Sequence, residues 1–183
     1  AVRPARVVAA VARLAEAPAL SIIMPALDEA HGIAQVLKPL QPVRGTVAEI
    51  IVVDGGSTDA TVTQARPLAD VVLCGERGRA SQMNAGAAAA AGELLLFLHA
   101  DTRIALADVE HLVKHWRCLR AIGHPLWGRF DIEFDDAAGL LALTQRLINL
   151  RSRLTGIATG DQAMFVDSRL FARCGGFANI PLM

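Results

Sequence analysis

The chain has 183 residues, with Lys+Arg and Asp+Glu at 18 each, so its formal net charge is zero. Hydrophobic residues make up 53% and charged residues 20%, which excludes a disordered tail or a fibre and suffices for one domain with a buried core. The zero balance also excludes a nucleic-acid binder working by bulk charge, because affinity for a phosphate backbone needs a basic excess. Residues 1–19 carry arginines at 3, 6 and 13 without an uninterrupted apolar run. They read as an N-terminal extension and not as a signal peptide. Leu20–Pro25 is a short apolar run ended by proline, a buried strand. Asp28–Leu40 is expected to be a helix closed by Pro39 and Pro42. Glu49–Asp54 is a second strand, rich in β-branched residues. Gly55-Gly56 turn the chain, and Ser57 is expected to cap a helix running to Arg66. Asp70–Cys74 is a third strand. Arg79–Ala91 is an alanine-rich helix with Gly92 as its C-cap. Glu93–Leu98 is a fourth strand, and Ala105–Arg120 a helix.

Continuous apolar strands alternating with helices predict an α/β domain, Rossmann-like, with a parallel sheet covered on both faces. The pattern changes after Gly123. Leu126–Phe134 alternates, with Phe130, Ile132 and Phe134 on one face and Arg129, Asp131 and Glu133 on the other, and predicts a strand with one wet face. Ala138–Leu154 is an amphipathic helix bearing Arg146, Arg151 and Arg153. It suits packing on the sheet, a second subunit in a homodimer, or a membrane surface. Ala163–Val166 is another short strand, and Ser168–Cys174 a short helix stopped by Gly175-Gly176. Cys74, Cys118 and Cys174 are odd in number and widely spaced. They are expected to be buried and inert in a reducing cytosol. No segment has the roughly 18–20 apolar residues of a membrane span.

In a parallel sheet, ligands bind outside the carboxyl ends of the strands. The polar residues collect there: Asp28-Glu29 after the first strand, Asp54-Gly-Gly-Ser57 after the second, His99-Ala-Asp101 after the fourth. Any one such aspartate is often a turn former; three at three strand ends predict a shared cleft. The second turn lacks the GxGxxG spacing of a dinucleotide loop, and no GxxxxGK[ST] occurs. Asp59 would repel a phosphate at the following helix. Asp54 is therefore expected to accept hydrogen bonds from a base N–H or a ribose hydroxyl. A carboxylate at Asp101 is a hard oxygen ligand suited to Mg²⁺ or Mn²⁺, which typically binds through one or two carboxylates plus substrate phosphates. Arg77 and Arg79, in a glycine-containing loop, either neutralise a diphosphate or form a solvated loop.

Other signals carry less. His111 and His115 share a helix face, but HLVKH lacks the glutamate of a zinc hydrolase motif, and a surface helix is expected. There is no GxSxG nucleophile elbow. Trp116 and Trp127 belong to the core or stack on a sugar face, the core being the commoner fate.

Three segments, SIIMPALDE, IIVVDGGSTDAT and ERGRASQMNAGAAAAAGELLLFLHADT, together resemble the family 2 glycosyltransferases of the GT-A fold. The match runs from about Ser21 to Met183, and GDQAMFVDSRLFARCGGF resembles the acceptor-side motif of that family. FLHADT with TGIATGDQAMFV and GGFANIPLM resembles one bacterial subgroup, the radical-SAM/selenodomain-associated or arsenosugar-biosynthesis transferases. The resemblance implies a GT-A sheet, mostly parallel with a mixed acceptor-side extension. It divides the chain into a donor half, 20–120, and a partial acceptor half, 124–183. It also implies a nucleotide-diphospho-sugar donor, a divalent cation, inversion at the anomeric carbon and transfer to an acceptor hydroxyl, with a lipid-linked acceptor in keeping with the leucine-rich helix. Carried over, Pro25, Ala26 and Glu29 line the nucleotide pocket, Asp54 binds base or ribose, and Arg79 and Asn84 lie near the nucleotide. Asp101 matches the last acid of the family's DxD motif and holds the metal, while His99 stands where its first aspartate usually is and is expected to bind the nucleotide-sugar, its neutral imidazole touching the ribose or the phosphate. The family's base lies in a Glu-Asp pair soon after the GGF segment, whereas this sequence ends at Pro181-Leu182-Met183. Asp161 is then the nearest acid, expected at the acceptor site. The chain is accordingly expected to be part of a longer enzyme, cytoplasmic or peripheral at the inner face of the membrane.

Two other readings compete. A sugar-1-phosphate nucleotidyltransferase shares the sheet and the metal–diphosphate chemistry, but would carry a glycine-rich basic loop where Ala26-Leu-Asp28-Glu29 stands. A non-catalytic nucleotide-sugar-binding domain is the other, favoured by His99 and by the missing Glu-Asp pair.

Overall fold

The computed structural model describes residues 17–134, 138–159 and 162–178. Among them, six strands form one sheet in the order β3-β2-β1-β4-β6-β5. The strands are β1 (Leu20–Ala26), β2 (Ala48–Asp54), β3 (Val71–Cys74), β4 (Leu94–Phe97), β5 (Trp127–Arg129) and β6 (Met164–Asp167). β1 runs parallel to β2 and β4, and β2 to β3; β6 is antiparallel to β4 and to β5. The expected parallel sheet with a mixed extension is therefore present. The helices are α1 (Ile33–Leu37), α2 (Thr61–Ala65), α3 (Arg79–Ala89), α4 (Leu106–Ala121), α5 (Leu140–Thr155) and α6 (Ser168–Arg173), with a 3₁₀ helix at Lys38–Val43.

The period-2 alternation of β1 and β4 divides the core between the two faces. Leu20, Ile22 and Met24 of β1 pack with Leu94 and Leu96 of β4 against Ile33, Leu37 and Leu40, and against Val109, Val113 and Trp116 of α4. On the other face Ile23, Leu95 and Phe97 meet Met83 and Ala87 of α3 and Phe171 of α6, with Phe177 beyond it. The Phe97 ring lies 4.8 Å from that of Phe177 and 5.1 Å from that of Phe171. Helix α3 lies close on the sheet because Gly86 has no side chain: a Cβ there would come 2.4 Å from Ile23 Cγ2.

Four local expectations are corrected. The helix expected over 28–40 is only Ile33–Leu37 followed by the 3₁₀ turn, because Asp28 sits at φ 55° and Pro39 and Pro42 remove donors an α-helix would use. Ser57 does not cap α2, which starts at Thr61; its N–H and hydroxyl both go back to Asp54. Helix α3 ends at Ala89, and Gly92 serves instead where the chain crosses Ser21, whose N would lie 2.6 Å from a Cβ. The strand expected over 126–134 shrinks to Trp127–Arg129. Beyond it, side chains of α5 take the place of a neighbouring strand: Asn149 accepts from Ile132 N and donates to Ile132 O, both at 2.9 Å, and Gln145 accepts from Phe134 N at 2.9 Å. The cysteines also differ from expectation, all three being exposed and free.

Candidate functional site

Strands β1 to β4 are parallel, so their carboxyl ends emerge on one edge of the sheet. Successive strands step from β1 to β3 in one direction, and β4 then pairs on the opposite side of β1. This reversal opens a crevice between the exits of β1 and β4. The two exits are close: a Cβ on Gly32, in the loop after β1, would lie 3.5 Å from Ala100 O.

The first two exits are tied to each other. Asp28 accepts from Thr58 N at 2.8 Å and its own N–H donates to Ser57 Oγ at 2.9 Å. Glu29 N donates to Thr61 Oγ1 at 2.7 Å, and Ala30 N to Asp59 Oδ2 at 3.0 Å. The hydroxyl of Thr61 donates to Asp59, and this bond is the foremost cause holding the Asp59 carboxyl below its usual range, against the opposing pull of burial. Beneath the loops, the buried Gln82 amide donates to Ala26 O at 2.9 Å and to Val53 O at 2.8 Å, joining the last turns of β1 and β2. Gly55 completes the seat, since a Cβ there would lie 3.0 Å from Gln82 Nε2. Sequence reasoning missed Gln82; its signal is the spacing of four to Gly86, which puts both on the sheet-facing side of an alanine-rich helix.

Asp54 is buried at the end of β2. Its carboxylate closes its own turn, accepting from Gly56 N and Ser57 N, each at 3.0 Å, and from the Ser57 hydroxyl. Ala26 and Pro25 are buried in β1; Pro25 stands beyond Ile23↔Phe97, the last pairing with β4, so its missing N–H interrupts no ladder on that side. Arg79 is exposed at the first position of α3, and Arg77 is exposed in the loop before it. Asn84 grips the backbone of Phe177 from both sides, donating to its O at 2.8 Å and accepting from its N at 2.9 Å. Its amide thus pins the GGF segment to α3.

His99 is buried and has a partner. Asp101, two residues on, is exposed and accepts from Thr102 Oγ1 at 3.2 Å. It opens into a cleft of about 750 Å³ between the β4 exit and the second half of the chain, whose walls include Phe130, Ile132, Ile148 and Gln162. Among the described residues expected at the site, Asp101 lines this cleft; Pro25, Ala26 and Asp54 lie at the ends of β1 and β2. Asp161 lies outside the described residues. The lining also carries Asp108, Asp131 and Glu133 against Arg103 and Arg151, so acids outnumber bases. Burial pushes the Asp131 carboxyl up, but hydrogen bonds and charge from Arg129 and Arg153 outweigh it and hold it below the usual range. The wet face read in Arg129, Asp131 and Glu133 was the signal for this wall; Arg129 ends β5, while Asp131 and Glu133, which line the cleft, lie in the extended segment after it.

An acidic cleft suits a divalent cation, and an exposed carboxylate is the right kind of ligand. The described residues contain no group of three or more His, Cys, Asp or Glu that could hold a metal. The donor set among the described residues therefore fits a cation completed by water and substrate phosphates.

The sequence profile of Glycosyl transferase family 2 matches residues 21–167. The chain belongs to glycosyl transferase family 2. An uncharacterized glycosyltransferase of Mycobacterium tuberculosis, from strains CDC 1551 / Oshkosh and H37Rv, is 30% identical over 180 residues, covering 90% of this chain. The chain spans 64% of the length of those relatives. The family 2 domain also resembles the mannosyltransferase PcManGT of Pyrobaculum calidifontis in complex with GDP-Man and Mn²⁺, at TM-score 0.64 and 24% identity, over 88% of this chain and 48% of that one. Glucosyl-3-phosphoglycerate synthase of M. tuberculosis matches at TM-score 0.61 and 22% identity, over 84% of this chain and 58% of that one. S. aureus TarS 1-349 matches at TM-score 0.61 and 20% identity, over 85% and 49%. The fold is GT-A. Within it Trp116 is core, 2% exposed beneath the Arg120 guanidinium, and is unavailable for stacking on a sugar. His111 and His115 lie on an exposed helix surface, as expected.

Proposed function

We propose that the domain transfers a sugar from a nucleotide-diphospho-sugar to an acceptor hydroxyl, with inversion at the anomeric carbon and a divalent cation, Mg²⁺ or Mn²⁺, at Asp101. The observation that carries this is the exposed Asp101 carboxylate at the strand reversal, on an acidic cleft where a diphosphate would be repelled unless a cation accompanied it. When bound, the cation supplies positive charge to the departing nucleoside diphosphate.

The chain's own residues do the rest. The laced loops after β1 and β2 form the wall for the nucleoside, with Pro25, Ala26 and Glu29 along it. Asp54 reaches base or ribose with the acceptor capacity its own turn leaves. Arg79 and Arg77 neutralise phosphate charge from the β3 exit. Asn84 acts through Phe177, holding the acceptor-side segment. His99, two residues before Asp101, meets the ribose or a phosphate of the donor, and Asp161 belongs to the acceptor side. The segments FLHADT and GDQAMFV support the radical-SAM/selenodomain-associated branch. The similar solved structures include complexes with GDP-Man and Mn²⁺ and with UDP and Mn²⁺, which supports this donor chemistry.

The test is thermal shift. UDP or GDP should raise the Tm only with Mn²⁺ or Mg²⁺, and Asp101→Asn should remove the shift while leaving the ligand-free Tm unchanged, because Asp101 is exposed. No metal-dependent shift with UDP, GDP or dTDP would overturn the reading. Release of pyrophosphate from a nucleoside triphosphate would assign the domain to nucleotidyl transfer instead.

A further inference from the structure

Helix α5 has two unlike sides. One faces the domain: Gln145 and Asn149 hold residues 132 and 134, Ser152 is buried, and Ile148 and Arg151 line the cleft. The other carries Leu140, Leu143, Leu147, Leu150 and Leu154, which are 82, 52, 55, 51 and 77% exposed. Their spacing alternates three and four, so they form one straight stripe, about 21 Å long at 1.5 Å per residue. Trp127 and Ile157, 59 and 60% exposed, extend the apolar surface at the end of the helix, where Trp127 Cη2 would lie 4.0 Å from a Cβ on Gly156.

The charges beside the stripe decide what covers it. With the leucines at the a and d positions of a heptad, Arg146 and Arg153 fall at g and Arg151 at e. All three arginines thus border the stripe and the helix has no acidic residue; Arg153 also bridges Asp131 and Arg151 also lines the cleft, so the border stays net positive with Asp131 counted. A second copy packed helix to helix would set arginine against arginine in either orientation, the reverse of the opposite charges that e and g positions use to pair. An anionic surface that accepts apolar side chains is the complementary occupant. The arrangement matches a helix lying in a bilayer interface, with leucines in the acyl boundary, arginines at headgroup level and an exposed tryptophan at the rim.

We infer that the leucine face of α5 docks on an anionic membrane surface. No helix among the described residues is long and apolar enough to cross a membrane, so the contact lies in the interface plane. Because the opposite side of the same helix forms part of the cleft wall, docking would hold the cleft at the bilayer edge, where the hydroxyl of a lipid-linked acceptor is presented. This extension to the acceptor rests on the sugar-transfer reading; the docking itself does not.

The experiment is cosedimentation of the 183-residue chain with vesicles of phosphatidylcholine, with and without phosphatidylglycerol. The chain should pellet with the anionic vesicles, and added salt should release it. The Leu143→Gln/Leu147→Gln/Leu150→Gln variant should lose at least about tenfold in binding, and Arg146→Glu should weaken it, both with Tm unchanged because these side chains are exposed. A wild-type chain left in the supernatant with every vesicle would overturn the inference. So would a triple variant that pellets like the wild type, or a leucine-dependent dimer in sedimentation equilibrium that anionic vesicles do not displace. Failure here with the nucleotide-dependent Tm shift intact would discard the docking alone.

Discussion

The two halves of the domain are held together by different means. In the first, β1 and β2 are buried almost throughout, and their exit loops are laced by side-chain-to-backbone hydrogen bonds. In the second, β5 has three residues, the extended segment after it hangs on two amide side chains, and α5 turns a row of leucines outward. The contrast teaches where shape is fixed in advance. The first half is preorganised by a close-packed sheet, while the second is held by a few contacts to one helix.

The sharpest way to break the comparison is to make the same kind of truncation on each side. Ile23→Ala, at a fully buried position under Gly86, should cost about 2–5 kcal/mol in urea unfolding, whereas Leu147→Ala on α5 should stay within about 0.5 kcal/mol. Equal losses would mean that the leucine face is covered in solution. Next in size, Gln82→Leu keeps the bulk but leaves buried carbonyls at Ala26 and Val53 without that donor, and should cost about 1–3 kcal/mol. In the second half, Asn149→Ala should cost about 1 kcal/mol and act locally. Amide exchange should accelerate at Ile132, with β1 and β2 unaffected. The smallest effect is in pH. Asp131 has its carboxyl lowered in the folded state, so the contribution of its bridges to Arg129 and Arg153 is present above its ordinary pKa and is lost as pH falls through the lowered one. A carboxyl NMR titration should place the Asp131 midpoint below that of an unfolded peptide; Arg153→Gln should move it upward.

The sheet was legible in the sequence because its signals are local. Apolar runs such as Glu49–Asp54 mark buried strands wherever they occur, and the sequence of turns dictates a parallel sheet. The place of Asp101 on the cleft was legible for the same reason, as a carboxylate four residues beyond the buried strand β4. Gln82 and Asn84 were less so, because their partners lie 29 to 93 residues away and no spacing in a single chain announces them. The segment 126–134 misled because its alternation is real in exposure, with Asp131 and Glu133 exposed and Phe130, Ile132 and Phe134 half-buried, but beyond Arg129 its backbone found glutamine and asparagine side chains instead of another strand. The cysteines misled because residue type predicts burial only on average.

Gly55 and Gln82 show how a history can be written into a seat of this kind. The space a Cβ would need at Gly55 is filled by the amide that ties β1 to β2. Gly55→Ala alone would press that amide a few tenths of an ångström away from its place on the two carbonyls, while after a shortening at position 82 the same alanine would have room. The effect of either substitution thus depends on which came first, and the two sites should be strongly non-additive in a double-mutant cycle. A lineage that lost the glutamine would be free to lose the glycine, and would then have to regain the glycine before the glutamine could return.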